Sequence, residues 1–73
     1  MAVVAIVLHS RIGQNFRAVV TGVNQYGTFV RAFDPHVEGM LVHGGHGLDV
    51  GDRLTVKLIA TDPQRGFIDF ATV

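Results

Sequence analysis

Gln14-Asn15-Phe16-Arg17-Ala18-Val19-Val20-Thr21-Gly22-Val23-Asn24-Gln25-Tyr26-Gly27-Thr28-Phe29-Val30-Arg31-Ala32-Phe33 reads as two β-strands joined by a reversal. Phe16, Ala18 and Val20 alternate with Asn15, Arg17, Val19 and Thr21. That is the period of a strand with one buried face. Asn24-Gln25-Tyr26-Gly27 predicts a turn, because Asn and Gly tolerate the backbone angles that a reversal demands. Residues 28–33 are rich in β-branched and aromatic side chains and predict the second strand.

Toward the C-terminus, Asp34-Pro35 breaks the second strand, since proline cannot donate to a ladder. Residues 37–42 predict a third strand. His43-Gly44-Gly45-His46-Gly47 is too rich in glycine for regular structure. Leu48-Asp49-Val50-Gly51-Asp52 follows as a tight link into a fourth strand at residues 53–61, with Leu54, Val56 and Leu58 inward. Asp62-Pro63-Gln64-Arg65-Gly66 reverses the chain into residues 67–72, with Ile68 and Phe70 inward and Phe67 and Asp69 outward. Toward the N-terminus, Ile12-Gly13 marks a boundary, and the apolar run 2–8 has no clean period. No segment carries a sustained helical stripe. Five short strands over about sixty residues predict an all-β sandwich or barrel. At this size a five-stranded antiparallel Greek-key OB barrel is the expected closure, because an open sheet leaves long edges unprotected. An SH3-like barrel is the alternative.

The 73 residues fit one domain, and a hydrophobic fraction of 48% against 16% charged excludes a disordered chain. The absence of cysteine excludes a disulfide scaffold and a thiolate metal site, and makes a cytoplasmic setting the default. Six Lys plus Arg balance six Asp plus Glu, so any nucleic-acid affinity drawn from phosphate contacts must come from a local basic face and be modest. The run 2–8 is too short to span a bilayer and lacks the basic start and cleavage site of a signal peptide. Residues 1–12 are therefore expected to be an apolar segment, the tail of a preceding domain, and residues 13–73 the barrel.

Several stretches occur in an order that resembles the S1-type RNA-binding domain. Gly13 to Val30 looks like its first strand running into an aromatic-glycine-x-aromatic-valine signature, here Tyr26-Gly27-Thr28-Phe29-Val30. Glu38-Gly39-Met40-Leu41-Val42 follows, then Val50-Gly51-Asp52-Arg53-Leu54-Thr55-Val56-Lys57-Leu58, then Asp62 and Gly66-Phe67-Ile68-Asp69-Phe70. No single piece is specific, but the ordered set is, and it runs from about Ile12 to Val73. The compact link at residues 47–52 and the closing stretch at residues 61–70 are similar to the C-terminal S1-type domain of RNase II/RNase R-like exoribonucleases. The resemblance implies an accessory module that binds single-stranded RNA, tethered to a catalytic domain and without catalysis or cofactor of its own.

Tyr26 and Phe29 are the first candidate contacts, because such modules stack bases on exposed rings. Strict alternation sets them on opposite faces; a bulge or kink at Gly27 would turn both the same way. Phe67 stands where many S1-type domains carry a basic residue, and two roles are open to it: a stacking surface, or packing against the N-terminal segment. Arg31 lies two residues beyond Phe29 on the same strand face and is the first phosphate candidate. Arg17, Lys57 and Arg65 are further candidates, with a solvated surface charge as the competing reading. The family's histidine follows the Glu-Gly-hydrophobic step. Here that position is Val42 and His43 sits one residue late, which in a regular strand turns it to the other face. Asp62 matches the family's aspartate, able to accept from a base or sugar or to stabilise the turn.

His43 and His46, with His36 nearby, do not make a zinc site, which wants four ligands on a firmer frame than this glycine-rich loop. No nucleophile elbow, phosphate loop or pocketed carboxylate pair points to catalysis. The competing function is a structural or protein-interaction barrel that docks through the same rings.

Overall fold

The computed structural model describes residues 9–33 and 36–73. Its elements are a short 3-10 turn at His9–Arg11 and five strands: β1 (Asn15–Asn24), β2 (Gly27–Ala32), β3 (Val37–His43), β4 (Arg53–Asp62) and β5 (Phe67–Thr72). The strands close into a barrel in the order β1-β2-β3-β5-β4. The expected all-β, five-stranded OB-type barrel is therefore found. The apolar run 2–8 and the Asp34-Pro35 break lie outside the described residues.

One detail of the expected fold needs correction. The sheet is mixed: β3 and β5 run parallel, whereas the other four pairings are antiparallel. The reason is parity. Strands in an odd-numbered ring cannot alternate direction all the way round, so a closed five-stranded barrel contains at least one parallel pair.

The core comes from the inward set of each strand: Phe16, Ala18 and Val20; Val30 and Ala32; Val37 and Leu41; Val56 and Leu58; Ile68 and Phe70. These are the residues that a two-residue alternation selects. Phe16 and Phe70 meet edge to face with centroids 6.4 Å apart. The Arg11 guanidinium lies 4.8 Å from the Phe16 centroid, so the 3-10 turn covers that end of the core. Burying a Val, Leu, Ile or Phe side chain contributes about 1.5–3 kcal/mol, so these residues dominate the favourable side of folding among those described.

Three register shifts bend the strands into closure: one in β1 between Val20 and Gly22, one in β3 between Leu41 and His43, and one in β4 between Leu58 and Ala60. The link between β3 and β4 is tied to β1, with the Gly51 amide donating to the Val20 carbonyl and the Val20 amide donating to the Asp52 carbonyl, both at 2.8 Å. Thr28 is buried, and its hydroxyl donates to the Gly45 carbonyl at 3.2 Å, anchoring the glycine-rich loop to β2.

Candidate nucleic-acid interface

Three strands build an apolar depression on the outside of the barrel. Along β2, Thr28, Val30 and Ala32 point inward, leaving Phe29 and Arg31 outside. On β3, Val37 and Leu41 are inward and Glu38 and Met40 outward, while β5 turns Ile68 and Phe70 in and Phe67 out. Register then sets the neighbours: Phe29 pairs with Met40, and Met40 pairs with Asp69. The depression, of about 380 Å³, is lined by Phe29, Glu38, Met40, Phe67, Ile68 and Asp69, with Gly39 and Gly66 beside them. Phe67 is 59% exposed and Phe29 half-buried, and neither belongs to the core.

Gly39 makes the depression possible. A Cβ there would sit 2.5 Å from the Ile68 carbonyl oxygen and 2.7 Å from the Phe70 ring. Only a bare backbone lets β3 approach β5 so closely. The β1 bulge lies opposite Phe29, at Gly22, where a Cβ would stand in ordinary contact with the ring at 3.9 Å.

Tyr26 is 76% exposed and belongs to a second, neighbouring depression of about 420 Å³ whose lining includes Asn24, Leu41, Val42 and His46. The Tyr26 amide donates to the Asn24 side-chain oxygen at 2.8 Å, an Asx turn that sets the reversal. Gly27 follows with φ of +149°, so Tyr26 sits in the turn and escapes the strand alternation. The bulge itself lies in β1 and not at Gly27. The two depressions adjoin where Gly27 faces Met40, whose sulfur would lie 3.2 Å from a Cβ at that position.

The charged candidates divide by place. Arg31 is on the same outer face as Phe29 and binds Glu38 across the strand pair, with Nη2 donating to Oε1 at 2.7 Å. Arg65 lies in the β4–β5 turn beside Asp62; its amide donates to the Asp62 carboxylate at 3.2 Å, and its Nε is 3.9 Å from the other oxygen. Asp62 thus stabilises the turn. Arg17 and Lys57 lie on the outer face of the β1–β4 pairing and line neither depression.

His43 ends β3, and the shift between Leu41 and His43 resets the alternation there, so Leu41 is buried while both Val42 and His43 are exposed. Val42 lines the second depression and His43 lines neither. Met40, Glu38 and Asp69 were not among the expected contacts. Alternation had already put Asp69 outside, but only the parallel register with β3 reveals that it faces Met40. Among the described residues no three His, Asp or Glu side chains converge on a point that would hold a metal. No helix of the described residues is long and apolar enough to cross a membrane.

Comparison with solved structures finds the same fold in RNase R of Mycoplasma genitalium. Its apo form superposes with a TM-score of 0.83 at 17% identity, covering 99% of this chain and 14% of that one. The same enzyme in complex with ribose-methylated single-stranded RNA gives 0.83 at 18% identity, over 96% and 14% of the two chains. At such identities the likeness is one of fold, and the chain spans only about a seventh of the RNase R length. An uncharacterized protein from Methanocaldococcus jannaschii, MJ1198, gives 0.69 at 29% identity, covering 85% of this chain and 90% of that one. No curated protein matches the chain. Residues 14–73 match the model of the RNase II-type exonuclease C-terminal S1 domain, and the chain belongs to that family.

Proposed function

We propose that this domain binds single-stranded RNA on the β2–β3–β5 face and serves as the accessory domain of an RNase II/RNase R-like 3′-to-5′ exoribonuclease, gripping the strand that a separate catalytic domain degrades. The observation that carries this reading is the open apolar depression flanked by Phe29 and Phe67, with Tyr26 exposed beside it. Flat rings held at a strand surface offer every base the same stacking face, so recognition is largely tolerant of sequence. Family membership supports the reading, as does the likeness of fold to an RNase R seen with single-stranded RNA. Arg31 shares the outer face of β2 with Phe29 and supplies the phosphate contact, with Arg65, Arg17, Lys57 and His43 as weaker contributors. Residues 1–12 belong, in this proposal, to the end of a preceding domain, and RNA as ligand makes the cytoplasm the working compartment.

Titration of a fluorescent uridine octamer at low and moderate salt tests the proposal. Phe29→Ala and Phe67→Ala should each weaken binding about tenfold, within the ~1–3 kcal/mol that a stacked base contributes. Absence of binding at low salt, with the barrel intact, would favour a protein-docking role for the same rings.

A further inference from the structure

Asp69 has no part in the fold's polar bookkeeping. Its carboxylate makes no hydrogen bond or ion pair with any described residue, although it is only partly exposed and pairs with Met40 and Ala60 on the adjacent strands. It lines the same depression as the Phe29 and Phe67 rings. The other carboxylate there, Glu38, is already held by Arg31. No lysine or arginine is among the residues lining this depression. A phosphate would therefore meet like charge at this point, and a base would meet a free acceptor.

A carboxylate only accepts hydrogen bonds. It rewards a nucleobase edge that presents N–H groups and penalises one that presents carbonyl oxygens. Guanine carries two adjacent donors, N1–H and N2–H, matching the two oxygens of one carboxylate. Uracil carries a single N3–H between two carbonyls, which repel the same oxygens.

We propose that Asp69 makes the Phe29–Phe67 depression selective among bases, favouring those with N–H donors at their edge, guanine foremost, over uracil. This rests on the reading that the depression holds a base, and it adds a modest preference to otherwise tolerant stacking. Asp69 is then a specificity-determining contact, distinct from the rings that supply the affinity.

The test uses the whole chain and three fluorescent RNA heptamers: all-uridine, the same with one central guanosine, and the same with one central inosine, which lacks the N2 amine. Guanosine should bind about fivefold tighter than uridine, near the lower end of what a paired base contact discriminates because the site is open. Inosine should fall between. Asp69→Asn, close in size, should bring the guanosine-to-uridine ratio within about twofold of unity. Losing the negative charge strengthens all three heptamers alike, and the ratio cancels that effect. Asp69→Ser serves as a second variant, with a melting curve for each. A ratio that survives in both variants, or is absent from the wild-type chain, overturns the proposal. In the latter case, binding of the all-uridine heptamer that Phe29→Ala still weakens leaves the stacking reading standing. If no heptamer binds, both fall.

Discussion

Phe29 and Phe67 lie on separate strands but share one wall, and Met40 between them is the third side of the same contact surface. Methionine is flexible and polarizable, so its sulfur can follow a stacked base; Met40→Ala should weaken RNA binding about threefold, a smaller loss than either phenylalanine produces. The Arg31–Glu38 pair sets a second expectation. Both side chains are at least half exposed, and such pairs contribute only about 0–1 kcal/mol to stability. Glu38 therefore acts chiefly as an internal competitor for the phosphate that Arg31 would meet. Glu38→Gln should tighten binding about threefold with little change in melting temperature, and the gain should vanish when Arg31→Gln is added, as a double-mutant cycle would reveal. At this scale the sequence was partly legible. Alternation alone put Phe67 and Asp69 outside and Arg31 on the same face as Phe29, because period two depends on neighbours along one strand. Met40 and Asp69 were overlooked as partners because their meeting depends on register between strands distant in sequence, which no local pattern encodes.

The β3–β5 contact is the element most sensitive to change. Gly39 lets the parallel pair approach to within the space a methyl group would occupy, against both backbone and the Phe70 ring. Gly39→Ala should destabilise the barrel by about 1–3 kcal/mol, the range for overpacking a core, measured as a lower midpoint in urea. Gly22→Ala is the contrast, since a Cβ there stands in ordinary contact with Phe29 at 3.9 Å; it should leave the midpoint nearly unchanged. Strand positions were readable because Phe16, Ala18, Val20, Val56, Leu58, Ile68 and Phe70 alternate cleanly. The bulges were not. An extra residue in β1, β3 or β4 is compensated only across the sheet, so Val42 and His43 look like a simple one-residue slip until β5 is laid beside them.

For the molecule as a whole, the zero net charge and the division of cations between two walls limit electrostatics. If Arg31 and one or two other cations meet phosphate, log affinity should fall with log salt at a slope of only about −1 to −2. A slope near about −4 would mean that nearly all six Lys and Arg, those of the β1–β4 wall included, meet phosphate. Closure into a barrel was legible from strand count and length, whereas the parallel pair follows from the parity of the ring and needs no sequence information at all. The family match at residues 14–73 includes every core residue among those described. Trimming residues 2–8 should accordingly leave the melting transition in place, and collapse of the fold would assign those residues to the core. Where RNA lands on this surface can be read directly from backbone amide and aromatic NMR shifts on adding a uridine octamer. Perturbations should centre on Phe29, Met40, Phe67 and Asp69, extend to Tyr26, and leave Arg17 and Lys57 quiet; shifts confined to the β1–β4 wall, with the Phe29 and Phe67 rings unmoved, would contradict the stacking face.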